Sequence, residues 1–268
     1  MFKLSTVLAR LRALWIALEL DEERCVHCLT PVRTGLEDTP DLGAALGPGG
    51  ARAPLCADCL THFAPYAGPR CPACGEPGPY ADPAHCPQCA QSGGAPRPWD
   101  AVSYFGLYED WLRDALLRFK FDGELAQTPF LAACLLLACQ CLPRPDVLVA
   151  IPQHRVRLRK RGFNQAHELA KELGRLTGLS VEAPLLTRVQ QGPLQHNLSG
   201  AARRSNLSQA FAASPAVRGR SSWLVDDIMT TGSTLAAAAR TLKDAGAARV
   251  CCLVAARTAR ENADVPDE

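Results

Sequence analysis

The sequence has no long hydrophobic run near its start. Residues 1–20, MFKLSTVLARLRALWIALEL, are apolar but interrupted by Lys3, Arg10 and Arg12. The unbroken stretch Ala13–Leu18 is far shorter than the ~20 residues a membrane-spanning helix needs. No small-residue cleavage site follows it, which argues against a secretory signal. The expectation is an amphipathic helix over residues 1–24 in a cytoplasmic chain without a transmembrane span. A helix lying on a membrane surface is the other reading. Net charge is nearly absent too, since 29 Lys and Arg face 27 Asp and Glu for a formal +2. The whole chain is therefore no polyelectrolyte. With 47% hydrophobic and 21% charged residues and a mean hydropathy of −0.04, neither a wholly disordered chain nor a polytopic membrane protein fits. A length of 268 residues suits one large domain or two modest ones.

Aliphatic runs are scarce between residues 24 and 99, where Pro, Gly and Cys dominate. Such a stretch cannot bury a conventional core and needs staples. Cysteine is what the chain has in excess, 13 in all. Eight of them form four CxxC pairs, Cys25/Cys28, Cys56/Cys59, Cys71/Cys74 and Cys86/Cys89. A CxxC turn sets two thiolates on one side of a tight knuckle, and two knuckles supply a tetrahedron suited to Zn²⁺. Gly75, Pro72 and Pro87 fit such turns. The simplest grouping is sequential, Cys25/Cys28/Cys56/Cys59 then Cys71/Cys74/Cys86/Cys89; a cross-braced grouping is also open. Two structural zinc ions are expected, without zinc catalysis, because four thiolates leave no free coordination position. Disulfides and an iron–sulfur cluster are the competing readings. His27, His62 and His85 are substitute ligands only if a Cys is not used. Cys134, Cys139, Cys141, Cys251 and Cys252 sit among apolar residues and read as buried core.

Charge is uneven along the chain. Residues 1–99 carry 8 basic and 10 acidic residues, whereas 144–220 carry 13 basic and 4 acidic. The segment 91–99, beginning QSGGAPRP, reads as a linker between a Cys module at 25–90 and a larger domain at 100–268. Within the latter, strands are expected at Ala101–Leu107, Asp146–Ile151, Trp223–Ile228 and Arg249–Ala255. Helices are expected at Tyr108–Phe121, Leu125–Leu142, Asn164–Thr177 and Ser233–Ala245. Strands alternating with helices predict an α/β fold with a parallel sheet. Residues 188–212 fit neither pattern and read as an excursion, and the tail after Arg260 as frayed.

The most informative stretch is Leu224-Val-Asp-Asp-Ile-Met-Thr-Thr-Gly-Ser-Thr234. An apolar strand ends in two carboxylates, and a hydroxyl-rich turn then opens a helix. Backbone N–H groups at such a turn bind a phosphate without Lys or Arg. Thr230, Thr231, Ser233 and Thr234 add hydroxyl donors, and Gly232 permits close approach. A plain helix cap would account for one hydroxyl but not for two adjacent carboxylates ending a buried strand. The segment resembles the phosphoribosyl pyrophosphate (PRPP) motif of type I phosphoribosyltransferases. The resemblance implies that Asp226 and Asp227 hold the ribose hydroxyls and that Thr230, Thr231, Gly232, Ser233 and Thr234 hold the 5-phosphate. Five cations in seven residues, Arg155 to Arg161, follow the strand ending at Ile151. A cationic loop at that strand end is placed to meet pyrophosphate, with Arg157, Arg159, Lys160, Arg161 and the more distant Lys120 as candidates.

Nearly the whole chain resembles the ComF family, the GntX-like competence proteins. The likeness rests on the CxxC pairs, Phe119-Lys120-Phe121, Ile151-Pro152, Arg161-Gly-Phe-Asn-Gln-Ala166, Arg203-Arg204-Ser205-Asn206 ahead of Ala210-Phe211, Asp226–Thr234 and Ala256-Arg257-Thr258. Gln153-His154 departs from the expected aliphatic, Pro-containing pair. The resemblance implies a double zinc ribbon ahead of a type I phosphoribosyltransferase domain, in a protein of DNA uptake or utilisation. Three functions stay open: Mg²⁺-dependent phosphoribosyl transfer to an unknown acceptor, a grip on single-stranded DNA, and PRPP sensing without turnover. Proteins of the DNA-uptake machinery are expected partners. No residue stands out as a general base, and the acceptor pocket is expected from 188–212.

Overall fold

The computed structural model describes residues 23–32, 55–62, 64–122, 125–182, 184–189 and 210–259. The expected helix over 1–24 lies outside them except for Glu23 and Arg24, which belong to a strand instead. The tail beyond 259 also lies outside. The described chain begins with two knuckles built alike. β1 (Glu23–Arg24) pairs antiparallel with β2 (Pro31–Val32). Between them the Cys25 N–H donates to Thr30 O and the Leu29 N–H to Cys25 O, both at 2.9 Å. The second knuckle repeats the pattern, Cys71 to Glu76 O at 2.8 Å and Gly75 to Cys71 O at 2.9 Å. Each turn needs a left-handed residue after its second Cys. Gly75 supplies it at φ 70° without steric strain, while Leu29 is held there at φ 62°. The other two CxxC pairs start short helices. Cys56 precedes α1 (Ala57–His62), and Cys86 is the N-cap of α2 (Pro87–Gln91).

Beyond residue 99 comes the larger unit. β3 (Ala101–Leu107) leads to α3 (Asp110–Leu117), which ends in a π-helical turn over Arg118–Asp122. α4 (Thr128–Ala138) is apolar all round and largely buried. β4 (Val147–Ala150) follows, then α5 (Arg155–Arg161) and α6 (Gln165–Thr177). β5 (Leu186–Arg188) and β6 (Phe211–Ala213) form a separate antiparallel ribbon. β7 (Ser221–Met229), α7 (Ser233–Asp244) and β8 (Arg249–Arg257) complete the fold.

The sheet order is β3-β8-β7-β4, with every pairing parallel. Helices cover it, so β8 is buried on both faces from Val250 to Arg257. The expected strands and helices are thus present with shifted ends, and three expectations need correction. The cationic segment 155–161 is a helix, not a loop: the His154 side chain caps it by accepting from the Val156 N–H at 3.2 Å, and left-handed Gly162 ends it. Cys141 is exposed at a helical turn, while Cys134, Cys139, Cys251 and Cys252 are buried. The two ends of the 188–212 excursion pair through Arg188 and Phe211; residues 190–209 lie outside the described residues. Among the described residues no helix is long and apolar enough to cross a membrane.

Candidate functional site

Because the four strands run parallel, their C-terminal ends share one edge, where ligands bind in such sheets. β7 carries Asp226 and Asp227 to that edge, and adjacent strand positions turn them to opposite faces. Each carboxylate accepts from the next backbone N–H: Asp226 Oδ1 from the Asp227 N–H at 3.0 Å and Asp227 Oδ1 from the Ile228 N–H at 2.7 Å. Burial, and then the neighbouring Asp227 carboxylate, raise Asp226 well above the usual carboxylate range, with Lys120 opposing.

Residues 230–234 follow directly. Thr230, Thr231 and Ser233 are exposed around buried Gly232. Gly232 is the N-cap of α7 at φ 74°. A Cβ there would lie 2.6 Å from Met229 Cε and 3.2 Å from Trp99 Cη2, so no other residue fits without a shift. With no side chain at the N-cap, capping falls to Thr231, whose Oγ1 accepts from the Ser233 N–H at 3.4 Å.

The cations divide into two sets. On α5, Arg157 and Arg161 are four residues apart and share a face, with Arg159 on the opposite side. Burial pulls Arg161 below the ordinary guanidinium value; Asp227 opposes that and Arg157 adds to it. Arg161 also lies 5.1 Å over the Phe121 ring. Lys120 sits in the π-helical turn, close enough to act on Asp226. The Arg-Gly-Phe-Asn-Gln block holds this arrangement. Asn164 caps α6 through its Oδ1 and donates its Nδ2 to Ile151 O at 3.0 Å. Gln165 accepts from Gln153 at 2.9 Å and donates to Lys120 O at 3.5 Å.

The roles of three charged residues escaped the sequence reading. Arg188 joins the site: burial and Arg157 lower it while Asp226 opposes. Its signal was a lone Arg at the start of the excursion. Arg257 is wholly buried, ion-paired with Glu76 of the Cys module. A single charge ending the apolar run of β8 was the clue. Residues 203–206 lie outside the described residues.

The eight Cys fall into the two sequential groups, each with its sulfurs within 4.8 Å of one another. A Zn–S bond of ~2.3 Å implies a tetrahedral edge of ~3.8 Å. The sulfurs of Cys28 and Cys56 are 3.6 Å apart, those of Cys71 and Cys89 3.8 Å, and those of Cys74 and Cys86 3.6 Å. These spacings fit a metal and are far longer than a disulfide bond. The histidines are used otherwise: His27 and His62 pack on Trp111 with ring centroids 4.1 and 4.5 Å away, and His85 is exposed. A cleft of about 360 Å³ lies beside the second group, between the linker and α7, with Thr231 and Ser233 on its wall.

Residues 144–267 match the phosphoribosyl transferase domain family. The chain is 34% identical to the DNA utilization protein YhgH of Salmonella typhi over 67% of its own length and 80% of that protein. It is 29% identical to competence protein F of Haemophilus influenzae over 83% of its length and 92% of that protein. Among solved structures it resembles a glutamine PRPP amidotransferase from B. subtilis at 22% identity and a TM-score of 0.33, over 46% of this chain and 24% of that one.

Proposed function

We propose, for a chain that belongs to the ComF family of competence and DNA-utilisation proteins, that this sheet edge binds PRPP and transfers its phosphoribosyl group to an acceptor, releasing pyrophosphate. The observation that carries the proposal is the convergence of the Asp226/Asp227 pair, the 230–234 turn and the Arg157/Arg161/Lys120 cations at neighbouring strand ends. Asp226 and Asp227 accept from the ribose hydroxyls. The turn donates N–H and hydroxyl groups of Thr230, Thr231, Gly232, Ser233 and Thr234 to the 5-phosphate. Arg157 and Arg161 face the pyrophosphate, and Arg159 and Lys160 extend the positive field outward.

Transfer of this kind passes through an oxocarbenium-like state, for which positioning and neutralisation of the leaving pyrophosphate supply most of the rate. The carboxylates of Asp226 and Asp227 are hard oxygen donors of the type Mg²⁺ favours, and the ion would supply further charge neutralisation when bound with PRPP. In the same reading the chain divides into a double zinc ribbon at 25–90, a linker at 91–99 and the transferase-like domain at 100–268. The decisive test is calorimetry with PRPP and Mg²⁺. The double variant Asp226→Asn, Asp227→Asn should lose binding, and unchanged affinity would remove the site assignment.

A second reading, single-stranded DNA held along α5, is favoured by one feature. Val156 and Leu158 are exposed at 64% and 39% between the arginines, which gives nucleobases apolar surface beside phosphate-binding charge.

A further inference from the structure

We propose that the second four-cysteine module sets the orientation of the 230–232 backbone, and that Arg257, Glu76 and Gln88 are the positioning residues through which it acts. The proposal rests on the reading of that turn as the phosphate-binding loop. Three consecutive loop residues each meet a side chain that lies in a CxxC pair or is bonded to the Cys module. The Arg257 Nη1 donates to Thr230 O at 3.3 Å. The same guanidinium is ion-paired with Glu76, both side chains being at most 4% exposed. Glu76 is itself fixed by the knuckle, since its carbonyl accepts from the Cys71 N–H at 2.8 Å. Gln88, between Cys86 and Cys89, donates its Nε2 to Thr231 O at 3.3 Å. Trp99 packs where a Gly232 Cβ would be, 3.2 Å away, and its indole N–H is tied to Ala73 O, between Cys71 and Cys74, at 2.8 Å.

The consequence follows from peptide geometry. In a planar trans peptide the N–H points opposite to the C=O of the preceding residue. Turning the Thr230 and Thr231 carbonyls toward the Cys module therefore turns the Thr231 and Gly232 N–H groups away from it. Those are the donors a phosphate uses at a helix start. Donors fixed before the ligand arrives need no ordering on binding, so the tethers raise affinity through preorganisation. The buried Arg257–Glu76 pair is costly to break on one side, which keeps the Thr230 carbonyl from swinging free.

The test uses the full, metal-loaded chain and two readouts, backbone amide order parameters from NMR relaxation and PRPP·Mg²⁺ affinity by calorimetry. Glu76→Gln leaves a buried guanidinium without its counter-charge and risks misfolding. Gln88→Ala removes a single tether and is the primary variant. Its order parameters should fall at Thr231 and Gly232 while those of β7 stay unchanged, a pattern general destabilisation would not give. Loss of one hydrogen bond of about 1 kcal/mol corresponds to roughly fivefold weaker PRPP binding. Unaltered loop order overturns the proposal, as does looser order with unaltered affinity. If the parent chain does not bind PRPP, the reading of the site fails, and loop order alone then decides the coupling.

Discussion

Asp226 is the carboxylate of the candidate site whose chemistry departs from its ordinary behaviour. Burial and Asp227 raise it, so the native chain holds this proton more tightly than the unfolded one. From the usual carboxylate pKa up to the folded one, stability therefore falls as pH rises. A ribose hydroxyl donates to the ionised carboxylate, so binding selects that form. PRPP affinity should accordingly decline as pH falls through the raised value, at a pH where an ordinary carboxylate would still be charged. Calorimetry in two buffers of different ionisation enthalpy should register proton release on binding in that range. Release absent there, or equal in Asp226→Asn, would assign the titration elsewhere.

At the scale of elements, α5 separates the two readings of its charge. Arg157 and Arg161 share the face whose electrostatics involve Asp227 and Arg188, and Arg159 points the other way. Arg157→Ala with Arg161→Ala should weaken PRPP binding about tenfold or more, as expected for charge-assisted phosphate contacts. Arg159→Ala should leave PRPP binding nearly intact. If α5 also grips single strands, DNA affinity should drop steeply with added salt and soften in Arg159→Ala; a flat salt response removes the DNA reading. This element also marks how far the sequence could be read. Its charge density identified the segment, but five cations in seven residues suggested a ligand-facing loop, because helix formation hinged on the His154 cap and the Gly162 stop. The strands β7 and β8 were legible because burial on both faces leaves an apolar run. The Asp pair and the 230–234 turn were legible because they are contiguous. Arg188, Glu76 and Gln88 were not, since their meaning arises from partners up to 181 positions away, as for Glu76 and Arg257.

At the scale of the whole molecule, the Cys module and the transferase-type sheet are joined at the loop, so the metal question bears on both. Metal-free thiols here ionise unevenly: burial pushes Cys56, Cys59, Cys74 and Cys89 up, whereas Cys71, against its burial, is drawn down by the Cys74 and Ala73 N–H groups and the Thr30 hydroxyl draws exposed Cys28 down to about 6. A cation must therefore displace several protons, which makes its affinity strongly dependent on pH. Structural zinc in such knuckles contributes on the order of 10–16 kcal/mol, comparable to the ~5–15 kcal/mol net stability of an ordinary domain. The module has few aliphatic residues to replace that contribution. Metal analysis of the purified chain should find two zinc ions, each loading accompanied by proton release that an indicator dye can follow. Cys71→Ser with Cys74→Ser should retain one. A chelator should lower the unfolding midpoint of the parent chain, and a zinc content near zero in a stably folded chain would return the eight cysteines to another role.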